Sequence, residues 1–489
     1  MDSDNISENS IVPVMTESSE ERHVAVLAFP FASHPRTLLN LVYKAARAAP
    51  NLQFSFFSTE KSNNKLFSSA SKANLPLNIK ACNVADGIPE DDHPFSGNLQ
   101  EELELFVKAT PDNFRSAIEA TVAETGTPIC CLLTDAFLTF AGEMAEDLHI
   151  PWVTLWVASP HCLSAHIYTD LICQFYNNSC RFGGVDSATD DNGNGVSKPE
   201  DQTLDLPGLS VLRKADLREQ LVLGSDSPPL FYRMLHKLIN LIPGVSAILL
   251  ISYEEITDPL ITTDLKSKFP RLLYLGFLSL SLPPPPLPPS DSDSTGCLPW
   301  LDSQNAMSVA YISFGTAAKL PGNEVVALAE ALEESGIPFL WSLGDETNSL
   351  LPEGFVEKTG MQGKVVPWAP QTQVLSHPST FVYITHCGYQ SMFESVAGGV
   401  PLICRPFWGE QFMNATMAQD VWGIGLRVEG DVLTKSGLLE CFEIILEHER
   451  GREMREKIKS LKEVAVEAAA PNGAAAKDFE TFVELIYGH

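Results

Sequence analysis

The chain has no long apolar run, few basic residues and no paired cysteines, and each absence excludes something. Its apolar stretches, Val24 to Phe31, Ile150 to Ala158 and Leu238 to Ile251, are short or interrupted, the last by Pro243-Gly244. None reaches the about 20 residues that a membrane span requires. No apolar run lies near Met1; residues 1–22 are acidic and rich in Ser, Glu and Asn, which reads as a disordered tail and not a signal peptide. Only 33 Lys and Arg stand against 62 Asp and Glu, a formal net charge of −29. With no basic run beyond Arg452 to Lys462, phosphate backbones and anionic lipid surfaces would be repelled, which argues against a nucleic-acid partner. The ten cysteines form no CxxC pairs and have no histidines at zinc spacing, and Cys130, Cys131 and Cys404 sit inside apolar runs. They read as reduced, buried thiols of a cytoplasmic protein, and the Asn-x-Ser/Thr triplets at Asn177 and Asn414 as chance matches.

What is present is alternation. Short β-branched or aromatic runs alternate with longer amphipathic stretches, the pattern of parallel sheets covered by helices. The first series of strands is predicted at Val24 to Ala28, Leu52 to Phe57, Ile129 to Thr134 and Trp152 to Trp156, with a helix over Gln100 to Glu124. A second series runs through Ser308 to Ser313, Pro338 to Trp341, Phe381 to Thr385 and Pro401 to Cys404. Between them Leu280 to Thr295, with its prolines, serines and aspartates, reads as an extended linker. Gly183 to Gln202 reads as a surface loop. The 489 residues allow two or three domains, and the pattern favours an α/β protein of two doubly wound, Rossmann-like domains. Ligands are then expected in the crevice at the C-terminal ends of the strands.

The most informative stretch is Trp368 to Gln411. Strand Phe381 to Thr385 should end at His386-Cys387-Gly388, with a helix starting around Tyr389 to Ser391. Gly388 permits close approach, the first-turn amides are free, and His386 and Ser391 can donate to oxygens, so this reads as a diphosphate-type anion site at a helix N-terminus. Trp368 offers a flat face for a base, worth about 1–3 kcal/mol where bases stack on aromatics. Glu394, one turn along, can accept from both hydroxyls of a ribose. In the first half, His34 follows the first strand and Asp135 ends the strand Ile129 to Thr134, so both belong to one sheet edge. A histidine base oriented by a carboxylate contributes typically about 10²–10⁴-fold to rate. His23 precedes its strand and should lie at the opposite edge. The Asp-x-Asp triplets at Asp2 to Asp4 and Asp291 to Asp293 read as solvated charge, so no metal is expected.

These residues closely resemble the 44-residue signature box of plant family 1 UDP-dependent glycosyltransferases, a length that Trp368 to Gln411 matches. Cys297-Leu298-Pro299-Trp300-Leu301-Asp302, Ser313-Phe314-Gly315-Thr316 and Ser252-Tyr253-Glu254-Glu255 extend the resemblance over essentially the whole chain. It implies a fold of the GT-B type, two Rossmann-like domains facing a cleft. It divides the chain into a tail (1–22), an acceptor-binding domain (23–279), a linker (280–296) and a UDP-sugar-binding domain (297–470). Residues 471–489 would form a helix that packs back on the first domain. Carried over, Trp368 with Ala369 and Gln371 would hold the uridine, and Glu394 the ribose. Thr316, His386 and Ser391, with Tyr389 and Gln390, would flank the diphosphate and sugar, and Glu410 and Gln411 would read sugar hydroxyls. The family's His/Asp dyad falls on His34 and Asp135. Phe31, Gln100, Phe137, His166 and Trp408 match acceptor-pocket positions of the flavonoid 3-O-glycosyltransferase branch, which implies a flavonol acceptor. No cofactor, membrane or second subunit is implied.

Four positions in three places depart from the pattern. Tyr389-Gln390 stands where the family has Trp-Asn, Glu410 where it has Asp, and Val157 where the branch has a Thr that contacts the sugar's 6-hydroxyl. A 6-hydroxyl facing Val157 would be buried without a partner, at about 1–3 kcal/mol, whereas a 6-deoxy sugar presents a methyl. UDP-rhamnose is therefore the expected donor, with UDP-glucose the alternative. Two other classes compete: a UDP-sugar-binding protein that has lost catalysis, against which His34 and Asp135 speak, and a dinucleotide oxidoreductase. No Gly-x-Gly-x-x-Gly follows the first strand, and Gly423-Ile424-Gly425 lies in the wrong context. No Gly-x-Ser-x-Gly elbow supports a serine hydrolase.

Overall fold

The computed structural model describes residues 22–67, 75–89, 98–182, 204–223, 230–278, 293–315 and 318–487. The predicted acidic tail up to residue 21, the loop Gly183 to Gln202, most of the Pro-rich linker and Thr316 lie outside the described residues. Seven parallel strands form the first sheet: β1 (Arg22–Leu27), β2 (Leu52–Thr59), β3 (Ile79–Val84), β4 (Ile129–Asp135), β5 (Trp152–Trp156), β6 (Ala247–Leu250) and β7 (Leu272–Tyr274). Their spatial order is β3-β2-β1-β4-β5-β6-β7. Six parallel strands form the second: β8 (Val309–Ser313), β9 (Phe339–Ser342), β10 (Gly363–Val366), β11 (Thr380–Thr385), β12 (Leu402–Cys404) and β13 (Gly425–Arg427). Their order is β10-β9-β8-β11-β12-β13. Strands buried on both faces carry continuous apolar runs, as in Val24 to Leu27 and Phe381 to Ile384.

Both sheets reverse their strand order, the first between β1 and β4, the second between β8 and β11. At such a switch point the connecting segments leave in opposite directions and open a crevice at the strands' C-terminal ends. The two crevices receive the residues of interest: the segments after β1 and β4 carry His34 and Asp135, and those after β8 and β11 carry Gly315 and His386.

Two expectations are corrected. The single helix expected over Gln100 to Glu124 is two, Leu99–Ala109 and Asp112–Thr125. Pro111 has no N–H to continue the ladder and forces Thr110 out of the helical region, to φ −88°, ψ 146°. Asp293, read as solvated charge, is buried. Its carboxylate accepts from Leu298 N at 2.7 Å, Thr295 Oγ1 at 2.7 Å and Thr295 N at 3.1 Å, tying down the start of the helix Cys297–Asp302.

The two sheets are joined by specific contacts. Phe277, after β7, stacks on Phe393 of the second half at 3.9 Å. Trp422 Nε1 donates to Ile256 O at 3.2 Å. Arg427 reaches Asp216 at 2.5 Å and Asp431 at 2.6 Å, in a largely buried cluster. The helix Ala474–Tyr487 lies against β7 and β4 of the first sheet, and its Asp478 accepts from Tyr274 N at 2.7 Å. Among the described residues nine cysteines are free, and no helix is long and apolar enough to cross a membrane.

Candidate active site

His34 is the first residue of the helix His34–Ala48, whose buried Leu38, Leu41, Val42 and Ala45 recur at helical spacing and hold it against the first sheet. Asp135 ends β4, the neighbour of β1. These placements bring His34 Nδ1 to 2.8 Å from Asp135 Oδ2, with side-chain exposures of 14% and 0%. The other carboxylate oxygen accepts from Phe137 N at 2.9 Å, so Asp135 is held from both sides. Because Nδ1 is engaged, Nε2 is the nitrogen left for a substrate proton. His23 lies at the opposite end of β1, buried and bonded to Ser55 Oγ at 2.8 Å.

Aromatic rings surround the pair. Phe137 meets the His34 ring edge-on at 4.8 Å, Phe29 stacks on Phe137 at 5.3 Å, and Phe31 lies 5.0 Å from Phe29 and 5.6 Å from Phe106. Three of the predicted acceptor residues do not join this cluster. Gln100 is turned to solvent, where Nε2 donates to Glu104 at 3.0 Å, because the helix face toward the rings is taken by Leu103 and Phe106. His166 is enclosed beside Trp156, edge-on at 5.9 Å. Trp408 is 46% exposed, its ring 5.7 Å from Phe407.

On the facing sheet, β11 ends at Thr385 and the helix Tyr389–Gly398 begins after Gly388. The His386 ring lies over Gly388 and Gly315; a Cβ on either would stand 2.5 Å and 3.2 Å from His386 Nε2. Glycine is needed here for close approach by a neighbouring ring. Burial lowers the His386 pKa to about 4, so the imidazole is a neutral donor, and its Nδ1 has no partner among the described residues. Asn414 Nδ2 donates to Cys387 O at 3.0 Å, tying this loop to the helix Gln411–Thr416.

Gln371 is a hub: its Oε1 accepts from Tyr311 and Tyr383, and its Nε2 donates to Ser391 Oγ and Glu394 Oε2. Glu394 Oε1 accepts from Thr372 Oγ1 at 3.2 Å, and Gln390 also hydrogen-bonds this carboxyl. Burial raises the Glu394 pKa. Trp368 stands 57% exposed after β10, whereas the Ala369 side chain is core. The Tyr389 ring is buried at 4.1 Å from Phe393, in the seam between the sheets, while its backbone N–H hydrogen-bonds the Glu410 carboxylate. A large aromatic at the start of this helix is claimed by interdomain packing.

Glu410 crosses the cleft, its Oε2 accepting from Ser159 N at 3.2 Å. Ser159 caps the helix Pro160–Ile167 and lies two residues after the half-buried Val157. Burial raises the Glu410 pKa to about 7, opposed by the nearby His34 among others. Gln411 Oε1 accepts from Phe407 N at 2.9 Å and holds the loop that carries Trp408. Sequence reasoning missed Thr372, Ser159 and the Tyr311–Tyr383 pair, whose roles depend on which strands and helix ends become neighbours.

A histidine–carboxylate pair facing a helix N-terminus across a two-sheet cleft is the constellation of a nucleotide-sugar transferase. Comparison with known proteins agrees. Residues 261–464 match the family model for UDP-glucoronosyl and UDP-glucosyl transferases. The chain is 46% identical to an anthocyanidin 3-O-glucosyltransferase of Vitis vinifera over 473 residues, 96% of this chain and 99% of that protein. It is 45% identical to a flavonol 3-O-glucosyltransferase of Actinidia chinensis var. chinensis over 473 residues, 96% and 98% of the two chains. The crystal structure of a UDP-glucose: anthocyanidin 3-O-glucosyltransferase in complex with UDP superposes with a TM-score of 0.86 at 42% identity, covering 96% of this chain and all of that one. The chain belongs to the plant family 1 UDP-dependent glycosyltransferases, in their flavonoid 3-O-glycosyltransferase branch, and has the GT-B fold.

Proposed function

We propose that this enzyme is an inverting transferase that moves a sugar from a UDP-sugar to the 3-hydroxyl of a flavonol such as myricetin, quercetin or kaempferol. The observation that carries the reading is the 2.8 Å contact of His34 with Asp135, set among aromatic rings and opposite the helix N-terminus at Gly388. His34 Nε2 takes the proton of the acceptor hydroxyl while its oxygen attacks the anomeric carbon. The bond from that carbon to the diphosphate oxygen breaks on the opposite face, and UDP leaves with the electron pair. Asp135 stabilises the imidazolium that forms. First-turn amides, the neutral N–H of His386 and Ser391 Oγ meet the charge on the leaving diphosphate. Trp368 would stack on uracil, Glu394 hold the ribose, and Glu410 and Gln411 read the sugar. Thr316 belongs with the diphosphate by resemblance alone. The 3-hydroxyl is inferred from what the relatives are named for.

For the donor we favour UDP-rhamnose, because Val157, two residues before the Ser159 that Glu410 contacts, can neither donate to a 6-hydroxyl nor accept from it. UDP-glucose is the second reading, favoured by the named activities of the relatives. A flavonol offered with a panel of UDP-sugars, with product linkage read by NMR, tests both parts. A clear preference for UDP-glucose would remove rhamnose, and failure to glycosylate any flavonol would remove the acceptor assignment.

A further inference from the structure

Two tyrosines beneath the nucleotide end of the cleft have no role in the mechanism above. Tyr311 lies on β8 and Tyr383 on β11, and they are register partners in adjacent strands, so both project from the same face of the sheet. Their rings stack at 5.0 Å and 25°, and both are fully buried. Aliphatic or phenylalanine side chains would fill such positions without bringing a hydroxyl that must find a partner. Both hydroxyls share one partner, alongside side-chain hydrogen bonds of Tyr311 to Ser313 and of Tyr383 to Ser391 and Thr385. Tyr311 donates to Gln371 Oε1 at 3.1 Å and Tyr383 at 3.0 Å, the latter hydroxyl also lying 3.3 Å from Ser313 O.

A primary amide has one acceptor oxygen and one NH₂ group. With Oε1 committed to the tyrosines, Nε2 is turned to Ser391 Oγ at 3.1 Å and to Glu394 Oε2. The reversed amide would set an oxygen against the Glu394 carboxylate, acceptor against acceptor. Thr372 Oγ1 holds the other carboxylate oxygen at 3.2 Å and Gln390 also hydrogen-bonds the carboxyl, so Glu394 is fixed at both oxygens with part of its acceptor capacity left for a ligand.

We infer that Tyr311 and Tyr383 are positioning residues for nucleotide recognition: their hydroxyls orient the Gln371 amide, which presents the Glu394 carboxylate to the two hydroxyls of a ribose. The inference rests on the reading of this site as the UDP-sugar site. Removing both hydroxyls strips Oε1 of its donors, frees the amide to reverse and loosens the carboxylate, while the stacked rings and the core remain.

The test is the Tyr311→Phe/Tyr383→Phe double variant and the Tyr383→Phe single variant, titrated with UDP and with 2′,3′-dideoxyuridine diphosphate. Calorimetry reads the affinities and thermal melting reads the fold. For the double variant the expected result is an affinity for UDP weakened on the order of tenfold, with a clearly smaller loss for the dideoxy analogue, whose diphosphate feels the network only through Ser391. The single variant should show a smaller loss of the same selectivity, and it carries the comparison alone if the double variant does not fold. Equal weakening toward both ligands, or no weakening toward UDP, would overturn the inference while leaving the site assignment standing. A parent protein that does not bind UDP at all would bring down both.

Discussion

Asp135 acts on His34 because its two oxygens are divided: one takes the Phe137 amide and the other the imidazole. Asp135→Asn keeps the shape but can present an N–H to Nδ1, which leaves the proton on Nε2 and abolishes the base. Both Asp135→Asn and His34→Ala are expected to lower kcat by about 10²–10⁴-fold. UDP affinity should not change, since the donor box lies on the other sheet. Turnover of His34→Ala equal to that of the parent would reassign the base. At Val157 the expectation runs the other way, toward gain. If the sugar's sixth carbon faces this residue as proposed, Val157→Thr adds a hydroxyl beside it and should shift the ratio of kcat/KM for UDP-glucose over UDP-rhamnose upward by about tenfold, the worth of one buried hydrogen bond. A donor panel run on parent and variant checks it, and an unmoved ratio would make Val157 a packing residue only.

At the scale of elements, central strands were legible and edges were not. β1, β4, β5, β8, β11 and β12 announce themselves as apolar runs because neighbours and helices bury both their faces. Of the five strands not predicted, β3, β7, β10 and β13 are the four sheet edges, as short as three residues in β7 and β13. β3 and β10 are partly solvated, and β7 and β13 are too short for a run to stand out, so their composition carries little signal. The fifth, β6, is four residues inside the apolar stretch broken at Pro243. The donor box was legible for a related reason. A strand end, a glycine and a helix start are local features in fixed order, whereas the link from Tyr311 to Gln371 and that from Glu410 to Ser159 exist only once distant segments meet. One element carries a sharp steric test. A methyl at residue 388 would stand 2.5 Å from His386 Nε2, closer than any non-bonded contact allows, so the ring or the helix start must move. Gly388→Ala is expected to weaken UDP binding by about 1–3 kcal/mol, read by calorimetry. An unchanged affinity would show that the ring does not serve the diphosphate.

At the scale of the whole molecule, the charge of −29 offers no attraction to an anionic donor, so the proposed site must bind through the short-range field of one helix N-terminus and its neutral donors. The same excess of acid makes each buried cation matter. Arg427 serves Asp216 and Asp431 where the two halves meet, with Asp216 almost wholly buried. Arg427→Met would leave that carboxylate without its counter-charge and is expected to cost about 3–5 kcal/mol of stability in denaturant unfolding. The response to pH is set by buried neutral histidines. Burial holds His161, His166 and His386 to about 4, against an ordinary 6.5. Between those values the unfolded chain binds protons that the folded chain refuses, so stability is lost as pH falls from about 6.5 toward 4. Glu410, raised to about 7, works in the opposite sense, since the folded state keeps a proton there that the unfolded state has released. His161 isolates the histidine effect: both its ring nitrogens are buried without a partner among the described residues, and Asp258 is the charge that offsets burial. His161→Phe should be tolerated at pH 7, because it removes unsatisfied groups, and should gain on the parent by about 2 kcal/mol at pH 5, where the parent's unfolded state is favoured by protonation. Denaturant unfolding of both proteins at the two pH values measures it. A difference between them that does not change with pH would mean that His161 takes up its proton in the folded protein as readily as in the unfolded chain.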